Sequence, residues 1–538
     1  MILELFYSLR IYLTKSCLLI DWGHFMTKNK SNLIKGTVVL TLAGLATRFI
    51  GFFYRIFLSN VMGAEVLGIY QLIFPIYMIC FTVFASGIQT AISTLVANEL
   101  GKKHYKNITR VLKIGIIMSL IASIVLAFLV YRYSELIAAS IIKEPSCASS
   151  LKMLSYAFPF CGVTACINGY YYGLKKAGVP ATTQLLEQII RVIFVYIIAS
   201  YAGGGNIKVT SELAVLGVVI GEIASHLYNI GSLYCSRTPR ELFKLSKTTQ
   251  TPPYQKNENI TSRLFKMSLP LTANRLLISI LHSVEAILIP NMLKKYGLSS
   301  SEALSIYGIL NGMTMPFIMF PSAITNSLSV LLMPAISEAQ SSKNEEMIRK
   351  TTAISIKYSM LIGILSAGIF IFFGQDLGDL IFHNQLAGSL LMTLAWLCPF
   401  LYITTTLSSI INGLGLAHLT FVNSIVGLSV RILLILYLVP NQGMNGYLIS
   451  LLISQLVITS FDGFIVIRRI KPPFEAADII LKPGLIVALA GYLFYRLYEY
   501  TSPRFGGLIV ILGCIGLVCV VYIMLLGITK AVSLKDFK

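Results

Sequence analysis

The sequence predicts an all-α polytopic membrane protein with 14 transmembrane helices, arranged as two six-helix repeat lobes followed by two C-terminal helices. The chain of 538 residues is 56% hydrophobic and only 12% charged, with a mean hydropathy of +0.77. It therefore has too few polar groups to cover a water-facing globule of this size. Apolar stretches long enough to cross a bilayer recur along the chain, which is the second observation. The third is an internal repeat.

The repeat is visible as short motifs that return after 240 or 237 residues. In a polytopic membrane protein, duplicated halves usually enclose a central site and alternate around it, so the pattern favours transport. The matching motifs are Pro159-Phe160, Gly173-Leu174 and Arg191 against Pro399-Phe400, Gly413-Leu414 and Arg431, and Glu65-x-Leu67-x-Ile69-Tyr70 against Glu302-x-Leu304-x-Ile306-Tyr307.

The apolar stretches define the predicted helices and, with the polar segments between them, the predicted domains. Residues 1–32 are expected to be an N-terminal extension, and the true chain start is expected at Met26; the alternative is an in-plane helix upstream of Met26. An N-lobe follows over 33–235, a cytoplasmic linker over 236–262, a C-lobe over 263–470, and the last helix pair and tail over 471–538. The helices are expected near 36–58, 66–96, 110–131, 151–172, 180–200, 210–233, 266–290, 303–335, 351–373, 387–411, 418–439, 444–467, 480–499 and 507–528.

The distribution of Lys and Arg between the loops predicts the orientation. The loops on the side of the two termini carry 27 of these residues and the opposite loops carry 8. Positive charge is retained on the cytoplasmic side during insertion, so both termini are expected in the cytoplasm of a multi-pass cell-membrane protein. The net charge of +20 is then explained by topology and by attraction to anionic lipid headgroups, and nucleic acid is not an expected partner.

Several classes of function are disfavoured by missing patterns. No GK[ST] nucleotide-binding loop is present, so the chain is not an ATP-driven pump by itself. The nine cysteines include no CxxC pair, and neither a metal site nor a disulfide is expected. Short outer loops leave little room for catalytic groups, so the chain is not expected to be an enzyme. No cofactor is expected, coupling to Na⁺ or H⁺ stays open, and the protein is expected to be a monomer.

Two arginines on the first helix are the leading substrate-binding candidates. Arg48 and Arg55 are seven residues apart and therefore lie on one face of a helix. A guanidinium presents a fork that matches phosphate oxygens and stays charged when desolvated. The pair is therefore expected to bind a phosphate or pyrophosphate; the alternatives are interfacial snorkelling and a structural ion pair.

Two further arginines occupy repeat-equivalent positions on helices 5 and 11. Arg191 is four residues from Glu187, so this pair can form an ion pair within helix 5. Arg431 has Gly427 at the corresponding position. Its partner is therefore expected to come from the other lobe, from the substrate or from a neighbouring helix.

Helix 7 carries a third group of candidates. Arg275, His282 and Glu285 share a broad helix face, with Arg275 a further substrate ligand and the other two the best candidates for coupling or gating. Glu222 on helix 6 and Glu187 complete the coupling set, although a helix–helix hydrogen bond is the favoured explanation of His282 and of Glu222.

Other polar or helix-breaking positions are expected to have simpler roles. Asp462 is expected to reach the cytoplasmic surface. Pro159, Pro399, Gly173 and Gly413 are hinge candidates, because proline and glycine weaken a transmembrane helix.

Three motifs resemble the stage V sporulation protein B family over residues 30–530. They are Arg48-Phe49-Ile50-Gly51-Phe52-Phe53-Tyr54-Arg55, Met62-Gly63-Ala64-Glu65-x-x-Gly68-Ile69-Tyr70-Gln71, and Gly169-Tyr170-Tyr171-Tyr172-Gly173-Leu174 continued through Glu187-Gln188-Ile189-Ile190-Arg191. That family belongs to the multidrug/oligosaccharidyl-lipid/polysaccharide exporter superfamily, together with MurJ-type lipid II flippases.

The resemblance implies a bilobed, V-shaped fold of the MATE/MurJ type. It implies a flippase for an undecaprenyl-pyrophosphate-linked saccharide, such as a lipid II-like peptidoglycan precursor, that serves spore cortex or cell-wall synthesis. It implies an anionic lipid-linked saccharide and membrane lipids as partners, with cavity arginines on helix 1. A cation-coupled multidrug antiporter of the same fold is the main alternative, and a membrane polysaccharide polymerase or ligase is a weaker one.

Overall fold

The computed structural model describes residues 31–102, 104–202, 209–235, 259–473, 476–505, 507–529 and 531. Residues 1–30 of the predicted N-terminal extension and residues 236–258 of the predicted linker lie outside this described part. The chain start expected at Met26 is therefore a prediction on residues that the structure does not describe.

All regular secondary structure in the described residues is helical. Twelve helices are long and apolar enough to cross a membrane, and fourteen spans result when each of two bent helix pairs counts as one. The predicted all-α fold with fourteen spans is confirmed. The spans are α1 (Ser31–Met62), α2 (Ala64–Gly101), α3 (Tyr105–Ile142), α4 (Cys147–Ser155 and Phe158–Gly173), α5 (Gly178–Ala202), α6 (Ser211–Cys235), α7 (Ile260–Tyr296), α8 (Ser300–Met319 and Ser322–Ser341), α9 (Glu345–Phe382), α10 (Gln385–Gly413), α11 (Ala417–Gln442), α12 (Met444–Ile470), α13 (Ala477–Ser502) and α14 (Gly507–Ile528).

Proline explains the two bent spans. The segments of α4 meet at 48° and those of α8 at 58°. Pro159 stands in the first turn of the second α4 segment, and Pro321 directly precedes the second α8 segment. Proline has no N–H to donate and fits the start of a helix, so the chain turns just before it. Pro399 occupies the matching place in α10, after a short 3₁₀ turn.

Contacts divide the chain into two compact units that differ from the predicted lobes. Unit 1 contains the residues up to Gly51 and Ile73–Ile280; unit 2 contains Phe52–Leu72 and the residues from Leu281 onward. The first half of α7 thus belongs to unit 1, and a segment of α1 and α2 belongs to unit 2. A Cβ on Gly68 would lie 2.1 Å from the carbonyl oxygen of Leu304, which shows how closely α2 and α8 pack in unit 2.

The cores of the two units share three equivalent helices. In unit 1, buried residues of α2, α3 and α4 pack with Ile260 and Leu264 of α7. In unit 2, buried residues of α8, α9 and α10 pack with Val466 and Ile470 of α12. The first three helices of each core follow the sequence repeat, whereas α7 and α12 are not repeat equivalents.

Gly173 and Gly413 show the repeat in detail. A Cβ on Gly173 would lie 2.6 Å from the Ser93 carbonyl oxygen, and a Cβ on Gly413 would lie 2.9 Å from that of Met333. The two carbonyls are also 240 residues apart. Close helix packing accounts for both glycines, and their hinge role stays a prediction.

The last two helices pack on α9. The Tyr522 hydroxyl of α14 donates to the Leu361 carbonyl at 3.0 Å, and the Tyr498 hydroxyl of α13 donates to Asp376 at 3.3 Å. Glycine at position 368 allows Val487 of α13 to approach, because an added Cβ would be 2.5 Å from its Cγ2. These contacts attach α13 and α14 to unit 2.

Replacing Gly173 by alanine is expected to destabilise the protein. The new Cβ meets a backbone carbonyl that cannot rotate away, and overpacking of this kind costs about 1–3 kcal/mol. The thermal midpoint of the purified protein in detergent should fall. Gly231→Ala is the matched control, because a Cβ at that helical position meets nothing within 4 Å. Equal midpoints for the two variants would contradict the packing described for Gly173.

Candidate functional site

The two arginines of α1 keep exposed side chains. They are about 10 Å apart along the helix axis. The boundary between the compact units passes between them, so that Arg48 belongs to unit 1 and Arg55 to unit 2. On the unit 2 side, Phe52 packs against Phe317 and Phe320 of α8, with ring centroids 4.6 Å apart in each case. These aromatic contacts fix the part of α1 that carries Arg55.

Arg275 lies on α7 and binds α2. Its Nη1 donates to the carbonyl oxygen of Ser86 at 2.7 Å and to the Ser86 hydroxyl at 2.6 Å. Ser86 is the last residue of a π-helical turn, Thr82–Ser86, within α2. The remainder of the Arg275 side chain is exposed, so the guanidinium is held by a neighbouring helix without being enclosed.

Further polar contacts continue along the same two helices. Thr82 and Ser279 have hydroxyl oxygens 2.9 Å apart. Arg263 Nη1 donates to Glu99 Oε1 at 2.8 Å. As the residue number increases along α2, the number of the contacting residue on α7 decreases, which shows that the two helices pack antiparallel. We refer to the contacts Thr82–Ser279, Ser86–Arg275 and Glu99–Arg263 as the α2–α7 seam; all of its residues belong to unit 1.

Glu99 is the most enclosed charge of the seam, with 2% of its side chain exposed. Besides Arg263, it accepts hydrogen bonds from Asn107 Nδ2 at 2.9 Å and, depending on the tautomer, from His104 Nδ1 at 3.2 Å. Sequence reasoning missed this residue, because a glutamate at a helix end next to basic residues usually faces water.

Unit 1 contains two of the predicted coupling residues. Glu187 and Arg191 form the ion pair that their spacing predicts. Glu222 is buried in α6 and accepts a hydrogen bond from the Tyr77 hydroxyl at 3.4 Å, and the same hydroxyl lies 3.3 Å from the Cys161 sulfur. The carboxylate of Glu222 is therefore linked to α2 and α4 through a neutral group.

Unit 2 contains the other coupling candidates. Arg431 of α11 donates from Nη1 to Glu285 Oε1 at 3.0 Å and from Nε to the Ser454 hydroxyl at 2.7 Å. Both charged residues are buried. His282 is exposed, and its Nδ1 lies 3.6 Å from Glu285 Oε2, which is too long for a direct hydrogen bond.

The partner of Arg431 was expected to come from the other lobe, from the substrate or from a neighbouring helix. Its partner is Glu285 on a neighbouring helix of the same unit. This arrangement favours the structural interpretation, and a substrate-binding role for Arg431 stays a prediction. The same applies to Arg191, whose guanidinium is bound to Glu187.

The expectation for Asp462 is wrong. Its side chain does not reach the cytoplasmic surface but is buried, with 1% exposed. Asn423 Nδ2 donates to one carboxylate oxygen at 2.7 Å and the Ser408 hydroxyl to the other at 2.9 Å. An aspartate is too short to extend past the residues around it, and these two donors satisfy it in place.

The comparisons with known proteins agree with this architecture. The model of the family described as polysaccharide biosynthesis protein matches residues 33–340, which is more than half of the chain. The chain belongs to the polysaccharide biosynthesis protein family. A second model, MatE, matches residues 276–437.

The chain is similar to two proteins of Bacillus subtilis (strain 168). Stage V sporulation protein B of Bacillus subtilis (strain 168) is 24% identical over 511 residues, which cover 95% of this chain and 98% of that protein. Lipid II flippase MurJ of the same organism is 21% identical and covers 82% of this chain and 83% of its own. The resemblance read from the sequence is confirmed.

Solved structures establish the fold. Lipid II flippase MurJ in an inward closed conformation superposes with a TM-score of 0.65 at 16% identity, over 92% of this chain and 99% of that one. A multidrug resistance MATE family transporter in an inward-facing conformation superposes with a TM-score of 0.61 at 16% identity. The match covers 82% of this chain and 98% of that one. This family member is a multi-pass membrane protein with the MurJ and MATE transporter fold.

Removing the charge of Arg431 is expected to destabilise unit 2. Arg431→Leu leaves Glu285 buried without its cation, and breaking a buried pair in this way costs about 3–5 kcal/mol. The double variant Arg431→Leu/Glu285→Leu should recover much of the loss. The thermal midpoint in detergent measures both.

Arg496→Leu is the control for this prediction. Arg496 and Glu499 form an exposed ion pair at 2.9 Å, and such pairs contribute at most about 1 kcal/mol. A loss for Arg431→Leu as small as that of the control, or no recovery in the double variant, would show that the buried pair does not stabilise unit 2.

Proposed function

We propose that the protein is a flippase that moves an undecaprenyl-pyrophosphate-linked saccharide, such as a lipid II-like precursor, across the cytoplasmic membrane by alternating access. Spore cortex or cell-wall synthesis would use the product. One observation carries the proposal. The side chains of Arg48, Arg55 and Arg275 are exposed, so an anionic ligand can reach them, and the predicted coupling carboxylates are bound to residues of the protein.

The binding partners of the carboxylates indicate whether positive or negative side chains are available to a ligand. Glu187 and Glu285 are bound to Arg191 and Arg431, and Glu222 is bound to a tyrosine hydroxyl. A charged group within a membrane is costly and usually marks a substrate path or a structural pair. Since these acids are in internal contacts, the exposed arginines are the charges suited to an anionic ligand.

Arginine is also the appropriate side chain for a pyrophosphate. Its planar fork donates two parallel hydrogen bonds to phosphate oxygens, and it stays charged when water is excluded. Arg48, Arg55 and Arg275 are proposed to bind the pyrophosphate while the polyprenyl tail stays in the lipid. The similarity to stage V sporulation protein B and to lipid II flippase MurJ supports this substrate class.

Coupling to Na⁺ or H⁺ is proposed to involve Glu222. A cation that binds Glu285 or Glu187 has to compete with the guanidinium of Arg431 or Arg191. At Glu222 the hydrogen-bond donor is the neutral Tyr77 hydroxyl. Glu222 is therefore the member of the predicted coupling set at which a cation binds with the least competition.

Orientation and assembly follow the sequence-based expectations. Both termini are proposed to be cytoplasmic, because 27 Lys and Arg residues lie on that side against 8 on the other. The protein is proposed to act as a monomer with membrane lipids around it.

A cation-coupled multidrug antiporter is the second candidate. The MatE match over residues 276–437 favours it. A cationic drug requires acidic groups in the binding cavity, and Glu187, Glu222 and Glu285 are all held by groups of the protein. The flippase is therefore the better proposal, and loss of drug resistance without loss of lipid export would favour the antiporter.

The proposal predicts that this chain restores lipid II export in bacterial cells whose own flippase is depleted. The measurement is the accessibility of lipid II to an outer-leaflet probe. Arg48→Ala/Arg55→Ala should lower export about tenfold or more, because each lost hydrogen bond to a charged group costs about 1.5–3 kcal/mol.

The control variants test whether the guanidinium fork is required. Arg48→Lys/Arg55→Lys keeps both charges and should recover only part of the export. Arg496→Ala removes an exposed cation of α13 and should leave export unchanged. Failure of the native chain to restore export, despite normal amounts in the membrane, would overturn lipid II as the substrate.

A further inference from the structure

Arg275 is bound in the α2–α7 seam by two neutral acceptors. Its Nη1 contacts the carbonyl and the hydroxyl oxygens of Ser86, at 2.7 and 2.6 Å. Among the described residues, Nη2 and Nε of Arg275 make no hydrogen bond, and the side chain is exposed. A guanidinium has five N–H donors. Both hydrogens of Nη1 are used by Ser86, so a phosphate that binds the fork formed by Nη1 and Nη2 has to displace this residue.

The backbone of α2 is unusual where Arg275 binds. Residues Thr82–Ser86 form a π-helical turn, a feature found frequently at functional sites. Two carbonyls of this turn accept side-chain donors from other helices: Phe84 from the Ser119 hydroxyl at 2.5 Å, and Ser86 from Arg275. The turn thus directs a backbone oxygen towards the arginine.

A phosphate oxygen is a stronger acceptor for Arg275 than either oxygen of Ser86. Hydrogen bonds between ionised groups are about twice as strong as those between neutral groups, and a phosphate accepts two parallel bonds from the guanidinium fork. A neutral saccharide or alcohol has no such advantage over Ser86. A cationic compound is repelled.

We propose that Ser86 is an internal substitute for the substrate phosphate, which occupies Arg275 until an anionic headgroup displaces it. The proposal rests on the proposed function and adds the step by which substrate charge changes the conformation. When Arg275 binds the phosphate, α2 and α7 lose their contact at Ser86 and separate at this level. Ser86 thereby becomes a specificity-determining residue, because only an anionic ligand releases the contact.

The other contacts of the seam suit this role. Thr82 donates its single hydroxyl hydrogen to the Met78 carbonyl at 2.7 Å, so Ser279 is the donor in the Thr82–Ser279 contact. A single hydrogen bond between hydroxyl groups contributes only about 0.5–1.5 kcal/mol and yields easily. The Glu99–Arg263 contact is a charge-assisted hydrogen bond at the opposite end of the seam. The Glu99 carboxylate also contacts Asn107 and His104, so this end is held more firmly. The seam therefore opens near Ser86 while it stays closed at Glu99.

Disulfide formation across the seam tests the proposal. The full-length chain with Thr82→Cys/Ser279→Cys, in lipid nanodiscs, should form the 82–279 disulfide, which peptide mass spectrometry distinguishes from pairs that involve the native cysteines. Undecaprenyl pyrophosphate should slow its formation about fivefold, and neutral undecaprenol should not. Thr404→Cys/Thr459→Cys is the matched control, since these hydroxyls are 2.8 Å apart in unit 2 and should respond to neither lipid.

A second variant separates this mechanism from a purely structural role. Ser86→Ala removes one of the two acceptors that compete with phosphate. The concentration of undecaprenyl pyrophosphate that gives half of the maximal slowing of disulfide formation should fall about fivefold. An unchanged concentration in Ser86→Ala would overturn the proposal, as would equal slowing by undecaprenol.

Binding of radiolabelled undecaprenyl pyrophosphate to the same nanodiscs distinguishes the two levels of inference. If the lipid binds and the disulfide rate is unchanged, the role of Ser86 is overturned and the proposed substrate class stands. If the native chain does not bind the lipid, both fail. Slowing that depends on the pyrophosphate, together with the shift in Ser86→Ala, supports both.

Discussion

The structure depends on one constraint: hydrocarbon offers no hydrogen-bond partner, so a charged or polar group inside the bilayer must find its partner within the protein. Three buried carboxylates obey it by joining segments that are distant in the chain. Glu99 joins α2 to α7, Glu285 joins α7 to α11, and Asp462 joins α12 to α10 and α11. These contacts fix which helices are neighbours. Arg48, Arg55 and Arg275 differ from these carboxylates because their side chains are exposed, which leaves their charge accessible to a ligand.

Most of the fold could be predicted from the sequence, because bilayer thickness and composition dictate helix number almost directly. The spans were predicted without the bends of α4 and α8, since a hydropathy pattern does not record helix direction. The division into contact units was out of reach for a different reason. It depends on close packing of residues far apart in the chain, such as Gly68 with Leu304, and a single sequence gives no indication of which helices meet.

The candidate site was predictable where the interaction is local. Glu187 and Arg191 are four residues apart, and helix geometry alone predicts their pair. Glu285 and Arg431 are 146 residues apart, and their contact could only be given as one of several alternatives. The contact between Ser86 and Arg275 could not be predicted, because a serine in an apolar helix is common and the π-helical turn around it leaves no sequence signal.

The exchange of segments between the two units constrains how the protein is made. The core of unit 1 is completed by Ile260 and Leu264, which the ribosome adds only after all six helices of the first repeat have been synthesised. Domains generally fold as units during synthesis, starting from the N-terminus. In this chain the first repeat cannot finish packing when its last helix enters the membrane. Its maturation waits for α7, so the duplicated halves, although similar in design, are not independent in biogenesis.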